Sequence, residues 1–165
     1  VREQMDRLDE RGIPWEVCPG VSSFCGAAAA LGMEYTLPGV SQTVILTRLA
    51  GRTPVPERES VEALAAHGAT MVVFLSAGQL GELTRRLLAG GYRPDTPAAI
   101  VYRATWPDEK VIRCTVVELE RRAAEEGISR TALVVAGDAA AQAGYQRSQL
   151  YHPAFTTGFR KGEEQ

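Results

Sequence analysis

Five short apolar runs, each closed by a turn signal, set the architecture of this chain. They occupy residues 42–48 (QTVILTR), 70–76 (TMVVFLS), 97–103 (PAAIVYR), 110–114 (KVIRC) and 131–136 (TALVVA). Runs of this length, rich in β-branched residues and bounded by Gly, Pro or Asp, read as strands. Between them, residues 57–67 and 79–89 carry a helical period and stop at Gly68 and at Gly90-Gly91. Thr115 with Glu118 forms a capping box that opens a further helix to Glu126. Only Trp106-Pro107-Asp108 and its short flanks separate the third and fourth runs, which predicts a β-hairpin there rather than a crossover. Strands alternating with helices, plus one hairpin, predict an α/β fold whose mixed sheet is mostly parallel with an antiparallel part.

The segment before the first of these runs has a different character. Val1, Met5 and Leu8 recur at helical spacing up to Gly12, so residues 2–11 read as an amphipathic helix. Residues 15–18 (WEVC) read as a short strand cut off by Pro19-Gly20, and Ser22-Ser23 then cap an alanine-rich helix over 24–31 that ends at Gly32. The pattern breaks over 34–41, around Pro38-Gly39, which marks a linker. The expected division is therefore 1–33, the end of one domain; 34–41, a linker; 42–138, an α/β domain; and 139–165, a tail whose end (RKGEEQ) frays. Val1 opens directly into a helical pattern with no initiator Met and no leader signature, so the chain is expected to start inside a longer protein.

Composition narrows the function classes. Eighteen Lys plus Arg against twenty Asp plus Glu leave a net charge of −2 in 165 residues, which disfavours a nucleic-acid partner held by phosphate contacts. No apolar run approaches the roughly 18–20 residues of a membrane helix. Cys18, Cys25 and Cys114 form no CxxC pair and are odd in number, so they read as free thiols in a reducing, cytoplasmic setting. Neither His67 nor His152 stands at ligand spacing from a cysteine, so no metal site is expected.

Three places carry candidate chemistry. Pro19-Gly20-Val21-Ser22-Ser23 leaves a strand and enters a helix, Phe74-Leu75-Ser76-Ala77-Gly78 does the same, and Arg103-Ala104-Thr105-Trp106-Pro107 tips the hairpin. In open α/β sheets ligands gather at such strand ends, although each stretch by itself also fits ordinary turn punctuation. Arg48, Arg52 and Arg103 lie at strand ends or in the adjoining loops, where a guanidinium can pair with a carboxylate in bidentate fashion. No GxSxG elbow and no cysteine with a nearby histidine supports a protein nucleophile.

Taken together, PGVSSFCGAAAALG, YTLPGVSQTVILTRLAGRTPVPE, TMVVFLSAG, GGYRPDTPAAIVYRATWPDEKV, RTALVVAGD and YQRSQLYHPAFTTGFRK resemble the C-terminal two thirds of the precorrin-4 C11-methyltransferase branch of the tetrapyrrole methylase family. The resemblance implies two α/β domains, a homodimer, and S-adenosylmethionine bound in the cleft between domains. The implied reaction carries its methyl group to C11 of precorrin-4 or cobalt-precorrin-4 in cobalamin biosynthesis, with S-adenosylhomocysteine as product. It assigns Ser22, Ser23, Leu75 and Ala104 to the cofactor, and offers Arg48, Arg52 and Arg103 for the carboxylate arms of the macrocycle. The family's GxGPGDP-type loop is absent from this sequence, and Gly39 replaces a larger, often acidic residue, which predicts a looser linker. Other tetrapyrrole C-methyltransferases, and a non-catalytic binding or dimerisation module, stand as the alternatives.

Overall fold

A computed structural model describes residues 1–148, 150 and 152–162. The last three residues of the tail expected to fray lie outside that range. The elements run α1 (Arg2–Asp9), α2 (Ser23–Leu31), β1 (Val44–Arg48), α3 (Val61–Ala65), β2 (Thr70–Phe74), α4 (Leu80–Ala89), β3 (Pro97–Tyr102), β4 (Lys110–Thr115), α5 (Leu119–Glu125) and β5 (Ala132–Ala136). Short 3₁₀ turns precede α3 and α5 and follow β5.

The five strands form one sheet in the order β1-β2-β5-β3-β4. β2 and β5 are its apolar centre, whereas β1 and β4 are edges whose side chains are mostly exposed or part-covered, Ile112 of β4 alone among them being buried. The hairpin is antiparallel as expected, from Pro97 opposite Thr115 to Tyr102 opposite Lys110. The expectation of a mostly parallel sheet is corrected: only β1 and β2 pair in parallel, while β2–β5, β5–β3 and β3–β4 are antiparallel. The reason lies in how crossovers interleave. α4 joins β2 to β3, which share a direction, and α5 joins β4 to β5, which share the other. β5 inserts between β2 and β3, and β3 lies between β5 and β4, so each of these two connections spans a strand of opposite sense.

Alternation along the strands divides the core in two. Met71, Val73, Ile100, Ile112, Val134 and Ala136 face α3, α4 and α5, which contribute Val61, Leu83, Leu87 and Leu119. Val72, Ala99, Val101, Leu133 and Val135 face α2, which contributes Ala27 and Leu31. The alanine run in α2 is thus a close-packing surface. Its N-cap residue is Ser22, without a side-chain cap bond, and it ends at Gly32 in the left-handed region (φ 57°).

Residues 34–41 are tied down rather than loose. Leu37 and Ser41 pair across a tight turn that places Gly39 at φ 79°. Thr70 donates its hydroxyl to the Tyr35 carbonyl at 2.7 Å. Gln142 clasps Glu34 from both sides, accepting from its N–H at 3.1 Å and donating to its carbonyl at 2.9 Å. The strand expected over 15–18 does not form. Residues 11–22 are exposed throughout, and among the described residues no strand lies beside them to close its hydrogen bonds.

Candidate functional site

The C-terminal ends of β2 and β3 and the N-terminal end of β5 meet at one edge of the sheet, on the side covered by α2. A cavity of about 380 Å³ opens there. Its wall is mainly apolar, from Leu75, Ala77, Val101, Ala104, Ala132 and Leu133, with Ser23 at the start of α2 and Trp106 at the hairpin tip. This is the place where an α/β sheet leaves room for a ligand.

The backbone here is strained. Leu75 (φ 52°), Arg103 (φ 47°) and Thr131 (φ 55°) all border the cavity in left-handed conformations that side chains other than Gly, Asn and Asp rarely adopt. Each stands next to the end of a central strand, where the chain must turn sharply out of the sheet. The turn leaves Leu75 84% exposed. Among the described residues, the main-chain N–H and C=O groups of Leu75 and Ala104 make no protein hydrogen bond. Both residues therefore bring unused donors and acceptors to an apolar cavity.

Neighbouring groups hold these turns. The buried Ser76 hydroxyl accepts from the Leu49 N–H at 3.0 Å and donates to the Phe74 carbonyl at 2.7 Å, tying the exit of β1 to the exit of β2. At the hairpin tip, Arg103 pairs with Asp108 and lies 4.9 Å from the centre of the Tyr102 ring and 5.1 Å from that of Trp106. The Arg103 Nε is buried without a partner. Its main-chain N–H reaches the Thr131 carbonyl at 3.0 Å, and the Thr105 N–H reaches the Glu109 carboxylate at 2.6 Å. Near Ser23, the Tyr35 hydroxyl donates to the Phe24 carbonyl at 2.6 Å. Burial, with a smaller contribution from Cys25, pushes that phenol up to about 12, so it remains a donor at neutral pH.

Of the residues singled out from the sequence, Ser23, Leu75, Ala104 and Arg103 border this cavity, and Ser22 does not. Arg48 instead donates to the carbonyls of Leu49, Thr53 and Pro54 at 3.0–3.2 Å and so shapes the loop after β1. Arg52 is exposed on that same loop. Trp106, which the sequence placed in the third candidate stretch, also borders the cavity, and so does Arg130, which sequence reasoning did not single out. Among the described residues no group of His, Cys, Asp and Glu could hold a metal ion, and no helix is long and apolar enough to cross a membrane.

A sequence model of the Tetrapyrrole (Corrin/Porphyrin) Methylases matches residues 1–120. The chain belongs to the tetrapyrrole methylase family. Among relatives of this methylase-family chain, the cobalt-precorrin-4 C(11)-methyltransferase of Methanocaldococcus jannaschii is 44% identical over 164 residues, covering 99% of this chain and 63% of its own length. The precorrin-4 C(11)-methyltransferase of Mycobacterium tuberculosis is 46% identical over 153 residues, covering 92% of this chain and 61% of its own. The chain thus spans less than two thirds of these curated relatives. A crystal structure of a cobalt precorrin-4 methyltransferase superposes with a TM-score of 0.81 at 45% identity, over 84% of this chain and 58% of that one. The interleaved α/β sheet is the tetrapyrrole methylase fold.

Proposed function

We propose that the chain is part of an S-adenosylmethionine-dependent C-methyltransferase acting on C11 of precorrin-4 or cobalt-precorrin-4, in the synthesis of the cobalamin ring. One observation carries the reading. Ser23, Leu75 and Ala104 come from three separate stretches of sequence, and all three line one apolar cavity with unused backbone groups. A flat heterocycle fits such a wall, with its polar edge facing the backbone of Leu75 and Ala104 and its face against Ala132 and Leu133. Ala104 leaves room that a larger side chain would take, and Ser23 offers a hydroxyl at the helix start.

When bound, S-adenosylmethionine supplies the methyl group from its sulfonium and leaves as S-adenosylhomocysteine. The chain's own part is to hold the two reactants in line and keep water out. Arg48 and Arg103 serve by fixing the loops at the cavity edge, and Arg52 has its guanidinium exposed for a carboxylate arm of the macrocycle. The same reading makes the protein a cytoplasmic homodimer, with residues 34–41 joining α1 and α2 to the sheet.

Calorimetric titration with S-adenosylhomocysteine tests the cofactor assignment, and transfer of labelled methyl from S-adenosylmethionine to precorrin-4 tests the reaction. Binding that Ala104→Leu abolishes, with label appearing on the macrocycle, is the expected result. Binding insensitive to Ala104, or no transfer by the full-length protein, overturns the reading.

A further inference from the structure

Two guanidinium-bearing residues border the cavity, and their surroundings differ. Arg103 is engaged: Asp108 neutralises it, the rings of Tyr102 and Trp106 lie beside it, and its side chain is only 30% exposed. Arg130 is exposed on the turn between α5 and β5 and, among the described residues, has neither an ion-pair nor a hydrogen-bond partner. The Arg103–Thr131 backbone bond places it beside Arg103 on the neighbouring strand end. Among the described residues, none that lines the cavity is acidic. An uncompensated cation on the rim of an apolar wall attracts an anion more strongly than one in open water, because the local dielectric is lower.

We infer that Arg130 pairs with a carboxylate of the ligand at the mouth of this cavity, the engaged Arg103 holding the hairpin tip in place. The planar fork of a guanidinium matches a carboxylate in bidentate geometry, which an ammonium does not reproduce. The inference rests on the methyltransferase reading, under which two ligands bring carboxylates: the amino-acid end of the cofactor and the acetate and propionate arms of the macrocycle.

The test compares wild-type full-length protein with Arg130→Met and Arg130→Lys by equilibrium titration. The probes are S-adenosylhomocysteine, 5′-methylthioadenosine (the same nucleoside without the amino-acid carboxylate) and uroporphyrin, a stable octacarboxylate macrocycle. Arg130→Met is expected to weaken S-adenosylhomocysteine or uroporphyrin about 10-fold or more, the scale of a charged hydrogen bond. Methylthioadenosine should bind unchanged, Arg130→Lys should recover part of the loss, and added salt should shrink the gap. A loss on S-adenosylhomocysteine assigns the contact to the cofactor, and a loss on uroporphyrin assigns it to the macrocycle. Unchanged affinity for both carboxylate probes overturns the inference, as does an equal loss on methylthioadenosine, which would make the side chain a packing group. Wild-type protein that binds neither S-adenosylhomocysteine nor uroporphyrin overturns the methyltransferase reading itself, and this inference with it.

Discussion

Replacing Ser76 by alanine removes a single oxygen atom from the structure, and its consequences follow from two distances. The hydroxyl is fully buried, 3.0 Å from the Leu49 N–H and 2.7 Å from the Phe74 carbonyl. Without it, the Leu49 amide is left buried with no acceptor, and Leu49 itself is only 5% exposed. An orphaned buried donor costs about 1–3 kcal/mol. At about 2–4 °C per kcal/mol for a chain of this size, a loss of about 2 kcal/mol lowers the Tm by about 4–8 °C. The perturbation also acts locally. The oxygen joins the exit of β1 to the turn carrying Leu75, so hydrogen exchange at the Leu49 amide should accelerate and S-adenosylhomocysteine should bind more weakly. Thermal unfolding by circular dichroism and exchange followed by NMR read both effects. An unchanged Tm together with undiminished protection of the Leu49 amide would refute the idea that this hydroxyl holds the cavity edge.

Ala104→Leu puts a branched side chain into the cavity from its hairpin side, so S-adenosylhomocysteine affinity should fall about 10-fold or more, a loss of about 1.4 kcal/mol; because Ala104 is half-buried at a turn, the Tm should hardly move, and a collapse in Tm would count against a pocket role. Burial, with a smaller push from Glu118, raises the Cys114 thiol from 9.0 to about 11. A thiol reagent at pH 8 should therefore titrate Cys18 and Cys25, both exposed, well before Cys114, and three equally fast thiols would contradict the packing of β4. Glu82 accepts from Arg85 and Arg86, which hold its carboxyl down at about 2. A lowered folded-state pKa stabilises above the unfolded value of 4.5, and that contribution is lost as the pH falls toward 2. Glu82→Gln should then lower the Tm at pH 6 and match wild type near pH 2; a gap independent of pH would contradict the ion-pair account.

What the sequence disclosed and what it hid have physical reasons. β2 and β5 were legible because both faces of a central strand are covered, so their runs are apolar without interruption. The hairpin was legible because the short stretch around Pro107, residues 103–109, leaves no length for a crossover. The capping box at Thr115 is local chemistry, and both of its bonds are present. Strand direction was not legible, because a helix between two strands says that they share a direction but not that they are neighbours; β5 entering between β2 and β3 is decided by packing across the whole sheet. Residues 15–18 have the composition of a strand, yet a strand is a property of two segments, and here the second is lacking among the described residues.

The site divides along the same line. The stretches that hold Ser23, Leu75 and Ala104 could be singled out because Gly, Pro and small residues after an apolar run are visible in a sequence, and the resemblance picked out these three positions within them. The left-handed conformations of Leu75, Arg103 and Thr131 could not, since none is glycine and nothing local announces the strain. Such conformations persist only where surrounding structure over-determines them. The Ser76 bridge next to Leu75, the Asp108 pair at Arg103 and the backbone bond from Arg103 to Thr131 supply that determination one turn at a time. Arg130 was the least legible of all. Its distinguishing property is the lack of a partner beside an apolar wall, and a missing partner exists only once every neighbouring side chain has a place.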